Sequence, residues 1–203
     1  MSERPLTPGE IALAQRLFKD SIDYNKVKIH NKKYVFVQPD NSGMTPNGEI
    51  YVVGERTYSD NYEIEGPSLR GFFIHEMAHV WQYQLNILNP ITAAIAESIR
   101  NCFDYAKAYH YELAAGKDLL QYRIEQQAQI INDYYLVQVA GVQLTTNHIK
   151  NDGGPTVLMP LYFQVLANFL MNPSYARHVV VCNRNTYGPP ASRGVTCTRM
   201  RVK

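Results

Sequence analysis

Phe72-Phe73-Ile74-His75-Glu76-Met77-Ala78-His79-Val80-Trp81-Gln82 decides how the rest of the chain is read. Apolar residues recur at helical spacing through Ile74, Ala78, Trp81, Leu85 and Leu88, which predicts a helix from about Leu69 to Leu88, ending before Asn89-Pro90. Within it stands an H-E-x-x-H motif. Residues four apart share one helical face, about 5–6 Å apart at Cβ, so His75 and His79 can grip one metal ion. The 3.6-residue period turns Glu76 about 100° away from His75, where a carboxylate can serve as base toward a metal-bound water. By chance such a motif arises in about one or two chains in a hundred of this length, so the helical context decides. The core stripe runs one position earlier, at Ile74 and Ala78, and this places the histidines beside the core, as a cleft site requires.

A catalytic zinc takes three protein ligands and keeps one position for water. The extended motif with a third histidine fails, because Gln82 and Leu85 occupy its Gly and His places. Glu125, in Tyr122-Arg123-Ile124-Glu125-Gln126-Gln127-Ala128, is the leading third ligand: it follows core position Ile124 as His75 follows Ile74. Glu97, Asp104, His110 and Glu112 are its rivals. Gln82, Gln129, Asn132 and Asp133 lie on the ligand-bearing helices and are candidates to orient an imidazole. Tyr122, Tyr134, Tyr135 and His148 are candidates for a donor to the transition state.

Outward from the motif, Thr7-Pro8-Gly9-Glu10 carries the signature of a capped helix start, followed by Ile11, Ala14, Leu17 and Phe18 at helical spacing. Val27–His30, Tyr34–Val37 and Ile50–Val53 read as short strands, the last entered through the Asn47-Gly48 turn. Further helices are expected over Thr92–Gly116, Lys117–Ala140 with Gly141 as C-cap, and Leu161–Met171. The expectation is an α+β fold, mostly helical, with a small N-terminal sheet and a helical body carrying the site. No linker divides the chain, so residues 1–203 are expected to form one domain with an irregular basic segment over about 174–203. Length and composition (203 residues, 45% hydrophobic, 19% charged) allow a real core. The net charge is +2, unevenly spread: from Gly153 onward there is no Asp or Glu, but there are Arg177, Arg184, Arg193, Arg199, Arg201 and Lys203. That end suits an anionic surface or acidic partner; nothing in the charge calls for nucleic acid. The first residues lack the apolar run of a signal peptide, and no apolar stretch reaches membrane-span length. Cys102 falls on an apolar helical face. Cys182 and Cys197 flank a loop-like stretch, which leaves both a bridge and free thiols open.

The H-E-x-x-H segment with Val80-Trp81-Gln82 and the Glu125 segment resemble the metallopeptidase domain at the carboxyl end of VgrG-type spike proteins of type VI secretion systems. Arg4-Pro5-Leu6-Thr7-Pro8-Gly9-Glu10 and Met44-Thr45-Pro46-Asn47-Gly48-Glu49-Ile50-Tyr51 are similar too, so the likeness runs from about Arg4 to Val139. It implies a zincin-like fold, one Zn2+ on His75, His79 and Glu125, and Glu76 as catalytic base. It also implies an antibacterial toxin that an injector carries into the periplasm of a rival cell, which accords with the missing signal peptide. A peptide or protein is then the substrate, with a secretion spike and an immunity protein as partners. No spike domain precedes the peptidase in these residues, and both an excised domain and a free-standing effector are compatible with that. The alternatives are a peptidase of peptidoglycan cross-links and a non-catalytic zincin-like adaptor.

Overall fold

A computed structural model describes residues 3–36, 38–87, 108–141, 148–151 and 155–177. Its front is a four-stranded mixed sheet of β1 (Glu3–Pro5), β2 (Lys28–Asn31), β3 (Ser42–Met44) and β4 (Ile50–Val53), in the order β1-β2-β4-β3. β1 pairs antiparallel with β2, β2 parallel with β4, and β3 antiparallel with β4, matching Gly43 to Val52 and Met44 to Tyr51. β3 is therefore an edge strand. Two of the three expected strands are present. The third, Tyr34–Val37, is not: among its described residues Tyr34 to Phe36 form bends and a turn. Buried Gln38 explains this. Its backbone N–H closes a turn on Val35 O (3.0 Å), while its side chain accepts from Tyr34 N (2.8 Å) and donates to Tyr51 O in β4 (3.1 Å). A side chain thus takes hydrogen bonds that strand backbone would have made. The predicted Asn47-Gly48 turn is present, with Gly48 at φ +81° and Tyr83 packed so close that a Cβ would fall 2.5 Å from its ring.

Between β1 and β2 runs α1 (Pro8–Phe18). Its predicted start is built as read: Glu10 N donates to Thr7 Oγ1 (3.1 Å) and Thr7 N to Glu10 Oε2 (2.8 Å). The Glu10 carboxylate, wholly buried, also receives both Arg4 Nη1 and Nη2 at 2.8 Å and Tyr62 N at 3.0 Å. Arg4 further donates to Ser59 O (2.8 Å). One carboxylate thereby ties β1, α1 and the turn at Ser59–Tyr62 together. Replacing it with alanine leaves a half-buried guanidinium and buried N–H groups unpaired. Glu10→Ala is therefore expected to cost about 3–5 kcal/mol of unfolding free energy, read from the urea midpoint at unchanged slope.

α2 (Pro67–Gln84) is the central element. Proline opens it two residues before the expected start. It ends at Gln84; of its expected last turn, Leu85 is the C-cap and Leu88 lies outside the described residues. Ile74, Ala78, Trp81 and Leu85 form the stripe read from the sequence, yet Phe73, Met77 and Val80 are buried as well. The sheet side covers one face and α3 (Ile124–Tyr134) the other, so the histidines lie within a helix buried nearly all round, not beside a one-sided core. α3 begins seven residues later than expected. Asp118 caps a 3-10 turn over Leu119–Gln121 (Leu120 N to Asp118 Oδ1, 2.9 Å; Asp118 N to Gln121 Oε1, 2.7 Å), and Tyr122 and Arg123 are extended. Beyond Tyr134 the helix widens into a π turn, Tyr135–Val139, whose C-cap is Ala140; Gly141, the expected C-cap, stands one residue further on at φ +65°.

The expected Thr92–Gly116 helix falls largely outside the described residues, as do Cys102, Cys182, Cys197 and the basic segment from 178. Of its described end only Ala108 is helical: Tyr111 forms a parallel bridge with Ile149, and Asn151 binds the Leu113 backbone through both amide atoms (2.6 and 2.9 Å). The last helix starts earlier than expected and is broken in two, α4 (Pro155–Val165) and α5 (Ala167–Met171), with exposed Pro160 carried inside α4. No helix among the described residues is long and apolar enough to cross a membrane.

Candidate metal centre

His75 and His79 project from consecutive turns of α2, and Glu125 from the first turn of α3. Their ligand atoms converge. His75 Nε2 and His79 Nε2 are 3.2 Å apart, and Glu125 Oε2 lies 3.4 Å from the first and 3.2 Å from the second. A tetrahedral zinc with bonds of 2.0–2.1 Å separates its ligands by about 3.3 Å, so these three atoms mark one face of such a tetrahedron. Glu125 Oε2 is shielded from solvent and has no hydrogen-bond partner. A buried carboxylate oxygen facing two imidazole nitrogens at ligand spacing fits a cation held among the three. Two imidazoles and one carboxylate also suit zinc by donor type. Among the described residues no other group of His, Cys, Asp and Glu meets in this way.

Electrostatics supports the same reading. Burial opposes a charged imidazole at His79, but the Glu125 carboxylate outweighs it, and the His79 pKa is pushed up to about 9. Burial alone would raise the Glu125 carboxyl; His79 and His75 instead hold it well below the usual carboxylate range. In the metal-free protein at neutral pH, a proton on His79 therefore stands where the cation would. A cation held by these three ligands would have to displace that proton. Apparent zinc affinity is expected to rise about tenfold per pH unit from about pH 7 to about 9 and to level off above, measured by competition against a chelator at several pH values.

Glu76, buried on the same helix, is held from the sheet. Thr45 Oγ1 donates to its Oε2 at 2.6 Å. Gly43 of β3 backs onto it: a Cβ there would stand 2.7 Å from both the carboxyl carbon of Glu76 and the Phe72 ring. Glycine thus leaves room beside Oε1, the oxygen that Thr45 does not take.

Of the rival ligands, the two that are described do not join the site. Glu112 is exposed. His110 turns its ring toward His148 (5.8 Å), and its carbonyl accepts from Gln126 Nε2 (2.7 Å). Glu97 and Asp104 lie outside the described residues. Of the four candidates to orient an imidazole, Gln82 does so: His79 Nδ1 lies 2.8 Å from its Oε1. Gln129 and Tyr111 bind Asp133 (2.8 and 2.6 Å), and Asn132 packs under Gly71. Of the donor candidates, Tyr122 is engaged with Glu112 O and Ala114 N (3.0 Å each), and Tyr134 packs on Tyr162 and Phe163. Tyr135 is buried in the π turn. His148 remains. Its ring meets that of Tyr109 (5.9 Å), which lies against His75 (5.6 Å). Burial, then the neighbouring His110 and His75, lower its pKa and favour the neutral ring. The sequence reading missed Thr45, Gly43, Tyr109 and Gln127 as parts of the site. Thr45 lay in a segment that drew notice through the likeness over Met44–Tyr51, and Gln127 in the Glu125 segment, where it was given no role.

The type VI secretion system spike protein VgrG2b of Pseudomonas aeruginosa is 41% identical to the chain over 166 residues, which is 82% of the chain and 15% of that protein. The chain thus spans a small fraction of the curated relative it matches. The solved effector domain of Pseudomonas aeruginosa VgrG2b aligns with a TM-score of 0.58 at 39% identity, covering 69% of the chain and 77% of the domain. No protein-family profile matches the sequence.

Proposed function

The chain belongs to the family of the VgrG2b effector domain, and from that premise we propose that it is a zinc-dependent endopeptidase, a type VI secretion effector acting on proteins in the periplasm of the target cell. One observation carries the reading: His75, His79 and Glu125 meet at tetrahedral spacing, with a sheet-held Glu76 one residue from the first ligand. When bound, zinc supplies a Lewis acid and a water of lowered pKa. The two imidazoles and Glu125 hold it. Glu76, steadied at Oε2 by Thr45, accepts the proton of the attacking water at Oε1 and returns it to the leaving amine. A purely structural site has no use for a base held in this way, which weighs against a zincin-like adaptor. His148, beside Tyr109, is the donor candidate for the developing oxyanion.

The acid-free, cationic run from Gly153 onward favours one competing substrate, the cross-link peptides of an anionic cell wall. Digestion of a generic protein against purified peptidoglycan separates the two. For place of action, the chain is expressed in a susceptible bacterium with and without an added export signal, beside Glu76→Gln. Killing is expected only with export and only with Glu76 intact. Equal harm from both compartments, or harm that survives loss of Glu76, defeats the periplasmic peptidase.

A further inference from the structure

The amide that meets His79 belongs to a longer chain of hydrogen bonds, and every link in it has a forced direction. Gln127 Nε2 lies 2.8 Å from Tyr122 O, and Gln82 Nε2 lies 3.0 Å from Ile124 O and 3.1 Å from Gln127 Oε1. Backbone carbonyls only accept, so both carboxamide nitrogens must face them, which fixes the orientation of each amide. The two N–H groups of Gln82 are then fully used, and its Oε1 can only accept. His79 must donate from Nδ1 (2.8 Å), which leaves the Nε2 lone pair toward His75 and Glu125 whenever that nitrogen is unprotonated. Gln82 and Gln127 are both buried, so water cannot substitute for a lost link.

We propose that Gln127 and Gln82 are positioning residues that form a one-way amide relay, setting the His79 tautomer for metal binding and clamping the Glu125-bearing helix to the histidine-bearing one. The relay rests on the metal-binding part of the proposed function and not on peptidase activity. Its anchors are the carbonyls of Tyr122, two residues before α3, and of Ile124, the first residue of α3 and the neighbour of Glu125. One set of bonds therefore places ligands on both helices. Gln127 touches no metal ligand through this chain, yet it holds the amide that does.

The test uses Zn2+ alone, with dissociation constants read by chelator competition at one pH for the parent, Gln82→Met, Gln127→Met and the double variant. Thermal midpoints of the metal-free proteins are measured alongside. Gln82→Met is expected to bind zinc about 10–100-fold more weakly, and Gln127→Met several-fold more weakly. The double variant is expected to lose no more than Gln82→Met, because the two residues act in series. A merely structural role would lower the metal-free midpoints and leave zinc affinity unmoved; that result overturns the proposal, as do losses that multiply in the double variant. Should Gln82→Met fail to fold, Gln127→Met decides alone: parental affinity overturns the relay, weakened affinity upholds it. A parent that binds no zinc overturns the metal reading and the relay with it, whereas a parent that binds zinc without cleaving peptides leaves the relay standing and removes only the peptidase.

Discussion

Glu76→Gln protein is expected to load one zinc ion with parental affinity and to lose peptide hydrolysis by at least about 10²–10⁴-fold, the usual range for a general base. The amide keeps the size of the carboxylate and can still accept from Thr45 Oγ1, which now donates to Glu76 Oε2 at 2.6 Å. It cannot take a proton from water. Zinc retention matters because Glu76 stands outside the three converging ligand atoms. Metal content by mass spectrometry and cleavage of a generic protein, measured on the same preparation, check both halves. Full activity in a zinc-loaded Glu76→Gln protein removes Glu76 from the mechanism.

Glu125→Ala is expected to weaken zinc binding about a hundredfold or more, since one of three protein ligands is gone. Glu112→Ala, at an exposed position away from the ligand atoms, should leave it unchanged. A second change separates loss of a ligand from general damage. The carboxylate that pushes the His79 pKa up to about 9 is absent, and burial then favours the neutral imidazole. The steep pH dependence of zinc affinity expected of the parent should therefore flatten. Parental zinc affinity in Glu125→Ala would mean that the third ligand lies elsewhere.

The parts of this site legible in the sequence are those set by local periodicity. His75 and His79 are fixed to one face by helical spacing, and Thr7 with Glu10 forms the capping box that its four-residue pattern foretold. Glu125 was legible by analogy of position, because a helix packed through Ile124 and Ala128 turns the next residue toward the same edge as His75. What was not legible depends on residues distant in sequence. Nothing about Thr45 by itself points to Glu76, 31 positions away; the contact exists because β3 pairs along the outer side of β4. The failed strand at Tyr34–Val37 has the same origin. Its β-rich composition is overridden by one buried glutamine whose partners include Tyr51, 13 positions on. The late start of α3 turns on Asp118, whose side chain offers the backbone a competing set of bonds that apolar periodicity does not register.

Trp81 is the single tryptophan of the chain, and it stands two residues from His79 with no exposed surface. Its indole N–H donates to Pro173 O at 3.1 Å, and its ring meets Phe169 edge-on at 5.2 Å, so it is gripped by α5 and the turn that follows it. The protein thus carries its own optical reporter. Selective excitation of this one indole gives a short-wavelength emission band while α5 stays docked on α2, and a red shift as soon as water reaches the ring. Emission followed during chelation would show directly whether removing the ion loosens only the ligand helices or also releases the carboxyl-terminal layer behind them.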